Sequence, residues 1–244
     1  MDDEVDDEVD EVGQCWRDVS EVLGAGVDRL LLYGPPGTGK TYAALTVTSR
    51  APAERIVCTE DLTGAEVTGT WMPGEGGRFA WREGPAIRAW RADGGRGGRL
   101  VLDEVDRAAG DALATLLAVT DSSASARWRH PESLEWLRPG PGYSVVATSN
   151  AEDVEDLPAP LLDRFAVRVR IDRPHPAAVA TLAPDLRAPA LAGSLGPSSR
   201  RVSLRRFYAF DRLRARLGAE RAAALVFGAA ARDVLDALAI ATLA

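Results

Sequence analysis

Gly34-Pro35-Pro36-Gly37-Thr38-Gly39-Lys40-Thr41 follows the apolar run Leu30-Leu31-Leu32-Tyr33, and the reading of the whole chain turns on it. The segment satisfies G-x-x-x-x-G-K-[ST] at every fixed position, between an expected buried strand and an expected helix, which is the context its chemistry requires. Gly34, Gly37 and Gly39 let the backbone turn with its N–H groups inward, and Pro35, Pro36 and Thr38 complete the loop. Lys40 would reach the β- and γ-phosphates of a nucleotide; the Thr41 hydroxyl can ligate Mg²⁺ at a helix N-terminus, with Tyr42 next in the same phosphate-binding segment. Lys40 is also the one lysine among 29 basic residues, the others being arginine. A compact ammonium stands at the one place where a planar guanidinium would not fit between phosphate oxygens.

Composition agrees with a globular nucleotide binder. The chain has 244 residues, 46% hydrophobic and 27% charged, enough for one or two domains with a sizeable core. The net charge of −7 is concentrated in residues 2–11, which hold eight acids and no base. That run reads as a solvated, disordered tail, and the body behind it is close to neutral. A neutral body argues against direct nucleic-acid binding. Ala222 to Ala244 is the most apolar stretch, but Arg232, Asp233 and Asp236 in its middle make it an amphipathic helix and not a membrane span. The acidic N-terminus argues against a secretory or mitochondrial leader, and none is expected. Cys15, Cys58, His130 and His175 have no zinc spacing and give no disulfide framework, so a reducing cytoplasm is the expected compartment.

Further strands are expected at Arg55–Cys58, Leu100–Asp103, Tyr143–Ser149 and Ala166–Ile171, separated by helical segments that include Leu113, Leu116 and Leu117 at i, i+3, i+4. This alternation predicts a largely parallel, doubly covered α/β sheet. Beyond about Arg173 the strand signal stops, and Leu204–Leu217 and Glu220–Leu243 have helical periodicity. The expected organisation is an acidic tail over 1–11, an α/β nucleotide-binding domain over 12–172 and a small α-helical domain over 173–244.

Leu100-Val101-Leu102-Asp103-Glu104 is the second chemical motif. An apolar strand delivers two adjacent acids to its carboxyl end, where ligands bind in open α/β sheets. Asp103 would hold Mg²⁺, directly or through water, and Glu104 would orient and deprotonate the attacking water.

Taken together, this pair, Val12-Gly13-Gln14, Ala147-Thr148-Ser149-Asn150 and Leu157-Pro158 with Leu162-Asp163-Arg164-Phe165 resemble the MoxR branch of the AAA+ ATPases. The resemblance covers roughly residues 12–210. It implies a P-loop NTPase sheet, the AAA+ core, followed by an α-helical lid domain, with ATP and Mg²⁺ as cofactors. It places sensor 1 on Asn150 and an arginine finger, offered to a neighbouring subunit, on Arg164. Ser203-Leu204-Arg205-Arg206 resembles the family's Ser-Pro-Arg-Ala, which puts sensor 2 on Arg205 with Arg206 adjacent, and Gly13 and Gln14 would lie beside the base.

The family hairpin inserted into the second helix is matched by Thr70 to Trp81, and Ser122 to Gly142 lies where a second hairpin precedes sensor 1. Their aromatics either pack the hairpins onto the sheet, the reading favoured for Trp81, or contact a client, as Trp71 and Met72 would. Three positions depart from the family pattern: Asp106 for Asn, Ala151 for Pro, and Leu204 for Pro. By resemblance, the chain is expected to form a homo-oligomeric ring, with six subunits the expected number, that hydrolyses ATP to remodel an unidentified partner protein. A nucleotide-gated assembly switch with negligible turnover, and the motor of a restriction-like DNA-handling complex, remain as alternatives.

Overall fold

The computed structural model describes residues 3–48, 52–195 and 201–241, with residues 3–12 and 241 by backbone alone. In chain order, α1 (Asp3–Gly24), β1 (Arg29–Tyr33), α2 (Lys40–Thr46), β2 (Glu54–Val57) and α3 (Gly64–Thr68) lead into a hairpin of β3 (Gly69–Pro73) and β4 (Phe79–Glu83). Then come α4 (Pro85–Gly95), β5 (Arg99–Asp103), α5 (Gly110–Val119), and a short pair, β6 (Trp128–Arg129) and β7 (Trp136–Leu137). The series closes with β8 (Ser144–Thr148), α6 (Ala159–Arg164), β9 (Val167–Arg170), α7 (Pro176–Ala180), α8 (Pro184–Leu195), α9 (Leu204–Leu217), α10 (Ala219–Phe227) and α11 (Ala231–Ala241). No described helix is long and apolar enough to cross a membrane.

Five strands form one parallel sheet in the order β2-β5-β8-β1-β9. All five residues of β5 are buried, as a strand covered on both faces requires. Leu31, Leu100, Leu102, Val145, Ala147, Ile87, Trp90 and Phe165 fill the core on one side of it. Two buried arginines secure the amino ends of the strands. Arg29 donates to the carbonyls of Thr120 and Asp121, at 2.7 and 2.6 Å, after α5. Arg99 donates to the carbonyls of Ala44 and Val47, so its charge also sits at the C-terminal end of the phosphate-loop helix α2. A guanidinium offers several donors in a fixed fork, which suits it to clusters of orphan carbonyls.

Packing divides the chain into two units: Asp18–Gly34 with Lys40–Arg170, and Met1–Arg17 with Pro35–Gly39 and Ile171–Ala244. The second buries its own core around Phe207, Phe210 and Phe227, whose ring centroids lie 5.3 Å apart in two tilted pairs. Arg206 fastens α9 to α10 by two hydrogen bonds to the Val226 carbonyl, at 3.0 and 2.7 Å, with its guanidinium over Phe227.

α1 begins at Asp3, so its first half carries the acidic run. Acids in a first helical turn favour the helix dipole, and in the sequence Val5, Val9 and Val12 continue the stripe that Trp16, Val19 and Leu23 bury. The helix expected over 220–243 breaks at Gly228, whose φ of 59° ends α10 before α11 begins; Leu243 lies outside the described residues.

Both hairpins of the insertions are present, and aromatic rings join them. Trp81 packs 5.6 Å from Trp71, 5.7 Å from Trp128 and 6.3 Å from His130. Trp81 is therefore a packing residue between the two hairpins, while Trp71, Met72, Phe79 and Trp136 are exposed.

Replacing Arg206 with alanine should cost about 1–3 kcal/mol of unfolding free energy. Arg205→Ala, on the exposed side of α9, should stay within about 0.5 kcal/mol. Urea unfolding followed by circular dichroism distinguishes the two.

Candidate active site

At the carboxyl ends of β1, β5 and β8, the phosphate-loop helix and the acidic strand meet. Register sets this up: Leu102 lies opposite Ala147, so Asp103 and Thr148 emerge side by side from adjacent parallel strands. Asp103 is buried, and its Oδ1 accepts from the hydroxyls of Thr41 and Thr148, both at 2.7 Å. Its Oδ2 accepts from Arg55 of β2. Burial pushes the Asp103 carboxyl up, but the donors Thr41, Thr148 and Arg55 outweigh it and hold the group below the usual carboxylate range.

Glu104 leaves the strand in the left-handed region, at φ 56° and ψ 50°, a conformation that costs a non-glycine residue about 1–3 kcal/mol. The turn aims its amide at Thr148 Oγ1, at 3.1 Å, and its carboxylate at two partners. Asn150 Nδ2 donates to Glu104 Oε1 at 3.1 Å, and Arg107 Nε lies 2.9 Å from Oε2. The buried ammonium of Lys40 donates to the Gly34 carbonyl at 2.8 Å and to Asn150 Oδ1 at 3.2 Å. Asn150 thus joins the lysine to the carboxylate. Nearby, the Cys58 thiol is pushed up to about 12 by burial and by Asp103, Asp106 and Glu104, so it stays protonated.

Gly34, Gly37 and Gly39 have φ of 126°, 80° and 105°, in the region that favours glycine. Within the unit that contains Pro35–Gly39, a Cβ on Gly37 would lie 2.9 Å from Cβ of Ser203, the residue before α9. One on Gly39 would lie 3.1 Å from Cβ of His175. His175 also donates its backbone N–H to the Thr38 carbonyl at 2.8 Å, and its ring lies 4.7 Å from Trp16. Burial lowers the His175 pKa, consistent with a neutral ring whose Nδ1 accepts from the Ala177 amide. Arg205 follows Ser203 by two residues and is exposed, whereas Arg206 is held by Val226. Gly13 and Gln14 lie in α1, with Gln14 Oε1 accepting from Arg17 at 2.8 Å. Tyr42 is exposed on α2.

Arg164 stands apart from this group. Its guanidinium is 2.9 Å from Asp163 and 3.9 Å from Asp121, beside the carbonyl that Arg29 holds at the amino end of β1. Asp103 and Glu104 lie at the carboxyl ends, about 13 Å away along a five-residue strand.

The dynein-related subfamily of AAA domains matches residues 29–165, more than half of the chain, from the first residue of β1 to Phe165 after α6. The chain belongs to this family. Lon protease of Salinispora arenicola (strain CNS-205) is 35% identical over 161 residues, 61% of this chain and 19% of the protease. Lon protease of Mesomycoplasma hyopneumoniae (strain 232) is 30% identical over 177 residues, 66% of this chain and 19% of the protease. The chain spans about a fifth of the length of these curated relatives. A crystal structure of a protein from Cytophaga hutchinsonii ATCC 33406, assigned as an ATPase, superposes with a TM-score of 0.47 at 23% identity, covering 72% of this chain and 52% of that one.

In this AAA domain two departures from the MoxR pattern have a local explanation. Asp106 accepts the Asn150 amide at 3.4 Å through Oδ1, a role an asparagine oxygen fills equally. Ala151 donates its N–H to Ser149 Oγ at 3.0 Å, which proline could not do. Leu204 is buried at the first position of α9. Sequence reasoning named no role for Thr148, Arg55 or Arg107. The signal for Thr148 was present in the quoted Ala147-Thr148-Ser149-Asn150; those for Arg55 and Arg107 needed the strand order and the turn at Glu104.

Among the described residues no cluster of three or more His, Cys, Asp or Glu forms a metal cage. The donors Thr41 and Asp103 are hard oxygens, as Mg²⁺ prefers, and Mg²⁺ commonly takes only one or two protein ligands alongside phosphate and water. The two residues therefore fit that ion.

Thr148→Val removes one donor from a buried carboxylate and should destabilise the domain by about 1–3 kcal/mol at neutral pH. Because the folded pKa of Asp103 is depressed, its stabilisation is present above the unfolded value of about 3.9 and is lost as pH falls through the folded value. The stability gap between variant and wild type should therefore narrow in acid, as urea titrations carried from pH 7 to below the unfolded carboxylate value, down to about pH 2, would record.

Proposed function

We propose that the protein is an ATP-hydrolysing AAA+ ATPase of the MoxR type that assembles into a hexameric ring and remodels a partner protein in the cytoplasm. One observation carries this reading: Lys40, Asn150 and Glu104 are connected by hydrogen bonds next to the Thr41–Asp103 pair. In P-loop phosphoryl transfer, catalysis is mostly positioning and charge stabilisation, and these are the groups needed for both.

The backbone N–H groups of Gly34, Gly37 and Gly39, with Pro35, Pro36 and Thr38, would cradle phosphates, and Lys40 would exchange the Gly34 carbonyl for phosphate oxygen. Thr41 and Asp103 would hold Mg²⁺, which neutralises charge on the phosphates when bound. Glu104 would then accept a proton from the attacking water, with Asn150 holding that carboxylate and the water in line. Arg107 pairs with Glu104 on its exposed side and would steady it between turnovers. Gly13, Gln14 and Tyr42 would line the nucleotide, and Arg205 would act as sensor 2 on a lid formed by the C-terminal helices. The contact of Ser203 with Gly37 supports that placement.

Arg164 supports assembly. Its Nε is buried with no hydrogen-bond partner among the described residues, and it lies at the opposite end of the strands from Lys40. An arginine delivered to a neighbour's phosphoryl group is worth about 10³–10⁵ in rate, so an isolated subunit would turn over slowly. A head-to-tail contact of this kind closes into a ring or runs on as a spiral, and the six-subunit reading takes the closed form. The exposed Trp71, Met72 and Phe79, on a hairpin coupled to its neighbour through Trp81, offer apolar contact to a client protein.

Lys40→Ala should abolish nucleotide binding in equilibrium dialysis; tight binding retained by that variant would sink the loop assignment. Glu104→Gln should bind ATP, assemble and lose at least about 100-fold in turnover. Arg164→Ala should lose about 10³-fold or more, and mixing it with Glu104→Gln subunits should restore part of the activity. No recovery at any ratio would place the missing arginine elsewhere.

A further inference from the structure

Arg55 has no part in the scheme above, yet it holds the buried carboxylate at the centre of the site. Asp103 Oδ1 is committed to the hydroxyls of Thr41 and Thr148, and Oδ2 is taken by the Arg55 guanidinium. The two side chains differ in freedom: that of Asp103 is 9% exposed and that of Arg55 is 44% exposed. Neighbouring arginines are differently placed. Arg88 is clamped by both carboxylate oxygens of Glu54, and Arg107 lies on Glu104. Among the described residues, Asp103 is the ion-pair partner of Arg55.

A buried carboxylate needs a positive partner at all times, because an uncompensated charge in that setting is costly. During the nucleotide cycle the partner changes. The Thr41 hydroxyl can keep its proton on Asp103 while turning a lone pair to a metal, so that bond survives loading. The guanidinium would be loosened, since a second cation arriving beside Asp103 would repel it and share its carboxylate.

The geometry points to Arg55 as a resident counter-cation that occupies the Asp103 side of the site between nucleotides and is displaced when Mg²⁺ arrives with one. Its long, solvent-facing side chain swings out at little cost, because a half-exposed ion pair is weakly held. Arg55 is thus a positioning residue that sets how readily the site accepts Mg²⁺. This inference rests on the nucleotide-binding reading of the loop.

The test is calorimetric titration of MgCl₂ into full-length protein saturated with ADP, for wild type, Arg55→Ala, Arg55→Gln and Arg55→Lys. Removing the competitor should tighten Mg²⁺ binding about threefold to tenfold in the alanine and glutamine variants, with lysine within about twofold of wild type. Melting in EDTA should fall in the same two variants and recover more than wild type on adding MgCl₂. ADP affinity in EDTA should be unaltered. Unchanged or weaker Mg²⁺ binding would overturn the inference, as would a loss of ADP affinity in EDTA, which would make Arg55 a phosphate ligand. Failure of the wild type to bind ADP at all would instead remove the nucleotide reading beneath it.

Discussion

The carboxylate of Asp103 is the point on which the site is assembled. It is buried at the end of the interior strand β5, where an isolated negative charge would be unstable, and three donors from three other elements converge on it. Thr41 arrives from the phosphate-loop helix, Thr148 from β8 and Arg55 from β2. Satisfying one charge therefore fixes the loop helix against the sheet and sets the register in which Glu104 and Asn150 meet. The strained turn at Glu104 persists because Thr148 holds its amide and Asn150 its carboxylate.

The same physical logic explains the basic composition. Arg29, Arg99 and Arg206 each supply several N–H groups to carbonyls left over at the ends of secondary structure, which a planar fork of donors suits. Lys40 is used differently. Its compact ammonium rests on two single acceptors, the Gly34 carbonyl and Asn150 Oδ1.

Much of the α/β fold was legible because each strand is a short apolar run ended by turn residues, and a strand buried on both faces leaves that mark in one dimension. The five parallel strands lie within a residue or two of expectation. Where reading failed, local and global signals differed. Gly228 was absorbed into a long helical pattern because its alanine-rich surroundings are strong helix formers, though its backbone breaks the helix. The pairing of Trp81 with Trp128 is invisible in sequence, as their hairpins are separated by two helices and a strand.

The sequence by itself determined the glycine loop between β1 and α2, the acidic end of β5 and the place of Asn150 after β8, since each depends on residue types at fixed local spacing. Only the tertiary structure decided that Thr148 and Arg55 share the Asp103 carboxylate, that Arg206 is spent on Val226 while Arg205 is exposed, and that Arg164 lies at the other end of the strands. These facts follow from strand order and helix packing, which bring together residues remote along the chain, and no local pattern encodes which strand lies beside which.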